Sequence, residues 1–282
     1  MVARFQDPHG RDHPVSELNA IVTQRIDFAP GLMILRVAPD GWQLPAFKAG
    51  QYASLGLPAS APRVGGATPE APFSSPDTFI RRAYSIASSS REREYLEFYI
   101  ALARSGALTP RLFALQVGDR VFLSPKATGM FTLDQVARDQ HLVFIATGTG
   151  LAPYMSMIRT HVEAGGPRKV FVIHGARNSW DLGYRAELFH LQRFAPNFTY
   201  LPVIDHPDEE AVPWKGQTGY AQDAWRQGVV ERAWGFKPSP ANSHIFLCGN
   251  PRMLEAMREI LAKEGFSLHS RQAPGQVHLE EA

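Results

Sequence analysis

The chain has one cysteine, Cys248, in 282 residues. An internal disulfide is therefore excluded, as is an iron–sulfur cluster held by four thiolates. No apolar run approaches the roughly 20 residues that span a bilayer. The opening MVARFQDPHGRDHPVSEL has no apolar core of signal-peptide type, so a soluble cytoplasmic protein is expected. No basic run or stripe occurs, and 29 cations against 27 anions leave a net charge of +2. That argues against nucleic acid as a partner. The ten histidines show one HxxxH spacing, His9 and His13 in HGRDH, and no clustered Cys/His spacing, so no metal site is expected.

What is present falls into two rhythms. From Val15 to about Phe131 the apolar stretches are short and partly alternating: GLMILRVAP (31–39), FKAGQYASLGL (47–57), RRAYSIAS (81–88), YLEFYIALA (95–103) and GDRVFLSP (118–125). Gly, Pro and Asp separate them, which predicts an antiparallel barrel. TPRLFAL (109–115) reads as a short helix within it, and residues 58–77 as a long exposed loop or flexible insertion. After about Asp134, apolar strands alternate with amphipathic helices. HLVFIATG, KVFVIHGA, FTYLPVI and HIFLCGN are strands; LAPYMSMIRTHVEAGG, LGYRAELFHLQRFA, YAQDAWRQGVVERAW and PRMLEAMREILAKEG are helices. This pattern predicts a parallel sheet covered on both faces. The expected division is an extension at 1–14, a barrel at 15–133 and an α/β domain at 134–282.

Two strand–helix junctions carry chemistry. In ATGTGLAPYMSMIR (146–159), Gly148 and Gly150 lie between a strand and a helix. Glycines there let backbone approach a phosphate, and the helix start supplies free N–H groups. Without a ligand the same turn is merely tight. FLCGNPRMLEAM (246–257) repeats the layout and puts Cys248 at a strand's carboxyl end. A lone cysteine is more often a small core residue than an active-site one.

Taken in order, RRAYSIASS, GALTPRLFALQVGDRV, ATGTGLAP, HGARNSWDLGY and LCGNPRML resemble the ferredoxin–NADP reductase family, especially its bacterial flavoproteins, from about Val15 to the C-terminus. The resemblance implies an N-terminal FAD-binding antiparallel β-barrel and a C-terminal NAD(P)-binding parallel-sheet α/β domain. It implies electron exchange between NADP(H) and ferredoxin or flavodoxin. Arg82 is implied at the FAD pyrophosphate, Tyr84 on the isoalloxazine, and Ser85 near the hydride-accepting N5. Ala83, Tyr99 and Ile100 are implied as further flavin contacts, and Gly106, Leu108 and Thr109 form the turn at the FAD diphosphate. Thr147, Gly148, Gly150, Cys248, Gly249 and Asn250 are implied around the nicotinamide dinucleotide. Ser85, Cys248 and Glu280 are assigned to the hydride-transfer contact, for positioning and proton handling. Arg177 matches the arginine near the adenosine 2′-phosphate, which favours NADP(H). The second arginine of many NADPH-specific members is replaced here by Asp205 and His206, which leaves NAD(H) open; Lys215 or Arg185 are the cations that would compensate. Glu280 matches a C-terminal glutamate, and Ala282 occupies a position that is often aromatic. Two other readings stand beside this one. The first is an NADH-dependent reductase feeding an oxygenase. The second is a flavin-binding electron-transfer or sensor subunit without nicotinamide turnover.

Overall fold

The computed structural model describes residues 4–6, 12–14, 18–73, 75 and 78–281. The chain folds into two compact units, Met1–Thr132 with Met155–Thr160, and Leu133–Tyr154 with His161–Ala282.

The first unit is antiparallel. β1 (Arg4–Gln6) pairs with β2 (Asp12–Pro14). The main sheet holds β3 (Ala20–Ala29), β4 (Leu32–Pro39), β5 (Tyr52–Pro58), β6 (Phe79–Ser85), β7 (Leu96–Ala101) and β8 (Arg120–Leu123). Their spatial order is β6-β5-β8-β3-β4-β7, and a bridge from Ile86 to Phe98 of β7 joins the two edges into a barrel. Met33, Leu35, Leu55, Ile86 and Phe98 fill its interior without exposure above one percent. A four-residue helix, α1 (Thr109–Leu112), lies between β7 and β8. β3 is not evident from the sequence. Its exposed positions mix polar Thr23 and Asp27 with apolar Ile26 and Phe28, and register shifts at Val22/Gln24 and Asp27/Ala29 break its alternation.

Of the two readings of residues 58–77, the described part of the loop between β5 and β6 is an exposed loop, and it is pinned to α1 and the turn before it. Arg111 of α1, 2% exposed, donates to the Ala59 carbonyl and to Glu70. Val64 N–H donates to Pro110 O, and Thr68 N–H to Arg104 O. Arg63 reaches the Gly106 carbonyl at 3.2 Å. A buried guanidinium needs several acceptors at once, and the loop supplies them.

The second unit is an all-parallel sheet of β9 (His141–Thr147), β10 (Val170–Ala176), β11 (Phe198–Ile204), β12 (Gln217–Thr218), β13 (Ser243–Gly249) and β14 (Val277–Glu281), in the order β12-β11-β10-β9-β13-β14. The chain walks outward from β9 to β12, then returns to β9's other side. That reversal puts a topological switch point between β9 and β13, where open α/β sheets bind ligands beyond the strands' carboxyl ends. The helices are α2 (Ala152–His161), α3 (Arg185–Phe194), α4 (Ala221–Arg226), α5 (Val229–Trp234) and α6 (Pro251–Lys263). The single helix expected over 220–234 is two, because Gly228 takes φ +69 between them. No described helix is long and apolar enough to cross a membrane.

Candidate functional site

In the barrel unit, β6 alternates. The two arginines of its RRAYS segment face different surroundings. Arg81 lies over the rings of Phe79 and Phe122, 5.0 and 4.4 Å from their centroids, and burial lowers its pKa. Arg82 is exposed, with Nη1 donating to the Arg81 carbonyl at 2.7 Å. It borders a cavity of about 540 Å³ lined by Phe73, residues 78–82 and Ala107. Tyr84 points to the same side as Arg82, packs edge-on to Phe98 with centroids 6.5 Å apart, and is held protonated because burial raises its phenol well above the usual value. Ala83 is exposed, and Ser85 is half-buried opposite Tyr52 of β5.

Ala107 belongs to a tight turn. A Cβ on Gly106 would lie 3.0 Å from the Ala103 carbonyl and 3.1 Å from Thr109 Oγ1. Thr109 closes the turn by accepting from Ala103 N–H at 3.1 Å. Leu108 is buried in the barrel core, as is Ile100; Tyr99 is 3% exposed, with its ring edge-on to Phe28. Any ligand contact by Ile100 is therefore through its main chain. The exposed Arg82, the cavity and the glycine turn fit a pyrophosphate-bearing cofactor such as FAD.

The segment after β6 is held by a buried charge cluster that the sequence alone does not reveal. Glu97 of β7, 1% exposed, accepts from Arg36 Nε at 2.7 Å and from Arg159 Nη1 at 2.6 Å. Arg159 also donates to the Ala87 carbonyl at 2.9 Å, and Glu97 N–H donates to Ser88 Oγ at 3.1 Å. The signal is faint in sequence because each partner lies on a different element.

In the α/β unit, the loops after β9 and β13 meet at the switch point. Gly148 to Leu151 form one 3-10 turn leading into α2. Gly148 has φ +54 with open space where a Cβ would project. A Cβ on Gly150 would lie 2.4 Å from the Cys248 carbonyl, and one on Gly249, at φ +134, 2.2 Å from Thr147 Oγ1. Thr147 Oγ1 accepts from Asn250 N–H at 2.7 Å, which stitches the two loops together. Asn250 Oδ1 caps α6 by accepting from Arg252 N–H at 2.8 Å. Gly150 and Gly249 let the two loops close on each other, and Gly148, open above its backbone at the start of the turn into α2, leaves room for a phosphate, so the cradle fits a dinucleotide.

His174 of β10 supports the cradle from beneath, and nothing in HGAR singles it out. It is fully buried, and burial pushes its pKa down to about 4, so it is neutral. Its Nε2 lies 3.1 Å from the Gly148 carbonyl. A carbonyl only accepts, so Nε2 carries the proton, and Nδ1 accepts from Tyr200 O–H at 3.3 Å.

Cys248 is 1% exposed and stands in register with Glu280 of β14. Burial, with the Glu280 carboxylate adding to it, raises the thiol far above its usual value. It is a neutral S–H donor, not a nucleophile. Ala282 lies outside the described residues. Arg177, just past β10, pairs with Glu209 at 2.8 Å. Arg185 stacks over Trp214 at 4.8 Å.

A family model described as "Oxidoreductase NAD-binding domain" matches residues 144–259. The ferredoxin–NADP reductase of Pseudomonas aeruginosa is 31% identical over 84% of this chain and 86% of its own length. The chain belongs to the ferredoxin–NADP reductase family. The reductase component DmpP of a Pseudomonas phenol 2-monooxygenase is 32% identical over 89% of this chain, which spans 63% of that longer protein. A crystal structure of a ferredoxin NADP+ reductase from Neisseria gonorrhoeae, with bound FAD and NADP, shares the fold: TM-score 0.74, 23% identity, 93% of this chain and 97% of that one. The match to ferredoxin–NADP reductases thus spans both units, as the resemblance in sequence implies.

Proposed function

We propose that this chain is an FAD-dependent reductase, working in the cytoplasm, that exchanges electrons between a nicotinamide dinucleotide and a one-electron carrier protein, ferredoxin or flavodoxin. The observation that carries it is the glycine cradle at the β9/β13 switch point, in a chain whose barrel presents Arg82 beside the Gly106 turn. Bound FAD supplies the conversion of a hydride pair into single electrons. Arg82 and the Gly106–Thr109 turn hold its diphosphate, and Tyr84 and Ser85 its ring. Thr147, Gly148, Gly150 and Gly249 hold the dinucleotide's pyrophosphate, with His174 fixing the Gly148 carbonyl. Cys248 supplies a neutral S–H and Glu280 a carboxylate for positioning and proton handling. The resemblance implies NADP(H) as donor, and that expectation rests on Arg177.

A second reading is an NADH-fed reductase for an oxygenase. The Arg177–Glu209 pair favours it, as does similarity to phenol hydroxylase P5 protein of Acinetobacter pittii, 30% identical over 98% of this chain and 68% of that protein. Steady-state reduction of ferredoxin, flavodoxin and an oxygenase component by the FAD-loaded chain separates the two. Turnover with ferredoxin or flavodoxin supports the first; reduction of none of them by either nicotinamide leaves a flavin-binding subunit without turnover.

A further inference from the structure

In a nucleotide-binding sheet whose first strand carries the pyrophosphate loop, the end of the adjacent second strand reads the adenosine 2′ position. Here the first strand is β9, and the second is β10, which pairs with it in parallel and ends at Ala176. Arg177 is therefore the residue placed to read the 2′ substituent. Its cation is already engaged, because Nη2 donates to Glu209 Oε1 at 2.8 Å. Asp205 and Asp181 act on the same guanidinium, and Glu210 lies close enough to act on Asp181.

An exposed ion pair is ordinarily weak and exchanges partners freely. This one is built on a fixed loop. Asp205 N–H donates to Ala176 O at 3.2 Å and His206 N–H to Arg177 O at 3.0 Å. Asn178 Nδ2 donates to His206 O at 3.2 Å. Ser179 donates to Glu210 through its N–H at 2.6 Å and through its hydroxyl at 2.7 Å. The short 3-10 turn Pro207–Glu209 is thereby tied down on both sides of Glu209. That stitching fixes the backbone of Glu209 beside Arg177, so only rotation of its half-exposed side chain releases the cation.

We propose that Glu209 is a specificity-determining residue that reserves the adenosine site for a dinucleotide with a free 2′-hydroxyl, NADH. A 2′-phosphate carries about −1.5 to −2 charges near neutral pH. It would have to displace Glu209 from Arg177 beside Asp181, Asp205 and Glu210. A ribose hydroxyl instead donates to a carboxylate at no such cost. The discrimination comes from repulsion of the wrong ligand as much as from attraction of the right one. Asp205 sits one residue past β11 and is itself hydrogen-bonded to His206 at 2.7 Å; Glu209, four residues later, holds the arginine. The inference rests on the reading of this unit as a nicotinamide-dinucleotide site and reverses the preference that Arg177 alone implies.

The test is calorimetric titration of the FAD-loaded full chain with 5′-AMP and with 2′-phospho-AMP. The proteins are wild type, Glu209→Gln, Arg177→Ala and the double variant, each checked by thermal melt. Wild type is expected to bind 5′-AMP at least about tenfold tighter. Glu209→Gln is expected to shift the ratio toward 2′-phospho-AMP by about tenfold. Arg177→Ala is expected to cost 2′-phospho-AMP binding far more in the Glu209→Gln background than alone, because only there is the cation free. The ratio of flavin reduction rates with NADH and NADPH should move in parallel. Tighter 2′-phospho-AMP binding by wild type, or a ratio unmoved by Glu209→Gln, overturns the proposal. A folded, yellow protein that binds neither fragment and is bleached by neither nicotinamide instead overturns the reading of the site beneath it.

Discussion

Gly249 lies so close to Thr147 that a Cβ at position 249 would stand 2.2 Å from the threonine Oγ1. That oxygen is already committed to the Asn250 N–H. The loop after β13 therefore closes on the loop after β9 only with glycine there, and φ +134 adds a second reason.

Gly249→Ala is expected to strain the backbone by about 1–3 kcal/mol and to push Thr147 away from the cradle. Dinucleotide affinity and melting temperature should both fall, while FAD content of the purified protein stays as in wild type. Unaltered dinucleotide affinity would remove the cradle from the site.

The two arginines of β6 should fail differently. Arg82→Ala removes a charge-assisted phosphate contact, worth about 1.5–3 kcal/mol, so FAD should be lost on gel filtration with the apoprotein's melt little changed. Arg81→Ala removes packing on Phe79 and Phe122, so the melt should drop first. Equal FAD affinity in wild type and Arg82→Ala would sink the assignment of Arg82.

Glu97 joins Arg36 and Arg159 while fully buried itself. Replacing it with Leu leaves two guanidinium groups facing an apolar side chain. Because both arginines keep partial access to water, the loss should lie near the low end for broken buried pairs, about 3 kcal/mol. Urea unfolding measures it, and a loss below about 1 kcal/mol would contradict the role given to the cluster.

Acid should destabilise the α/β unit through two histidines. Burial brings His278 down to about 3 and His174 to about 4; neighbouring His244 and His269 add to the effect at His278. In the unfolded chain both titrate near the ordinary value of about 6.5. Between those limits the unfolded state binds more protons, so stability is full above about pH 6.5 and falls as pH drops toward 4 and then 3. Each extra proton gives a slope of about 1.4 kcal/mol per pH unit. His278→Phe, which keeps the stack on Phe246 now seen at 4.2 Å, should flatten the acid limb of a melting-temperature profile. An unchanged limb would place the sensitivity elsewhere.

The fold is legible in the sequence where the residues themselves dictate it. Strands β9, β10 and β13 are buried on both faces and read as continuous apolar runs. β14 reads as a tail, because VHLEE is short and half polar, and only its pairing with β13 makes it a strand. In the site, the glycines are legible because their need is local. His174 and Glu209 are not, because each acts on a residue 26 or 32 positions away. The glutamate's neighbour Asp205 stands out as an acidic residue, but nothing in the order of residues says which carboxylate holds Arg177.

The most direct test of the account is anaerobic mixing of the FAD-loaded chain with reduced nicotinamide, followed at the flavin's visible band in a single turnover, with ferredoxin or flavodoxin added afterwards. The account predicts fast bleaching, faster with NADH than with NADPH, and recovery of the band when the oxidised carrier protein is added. A flavin that stays oxidised with both nicotinamides would contradict it.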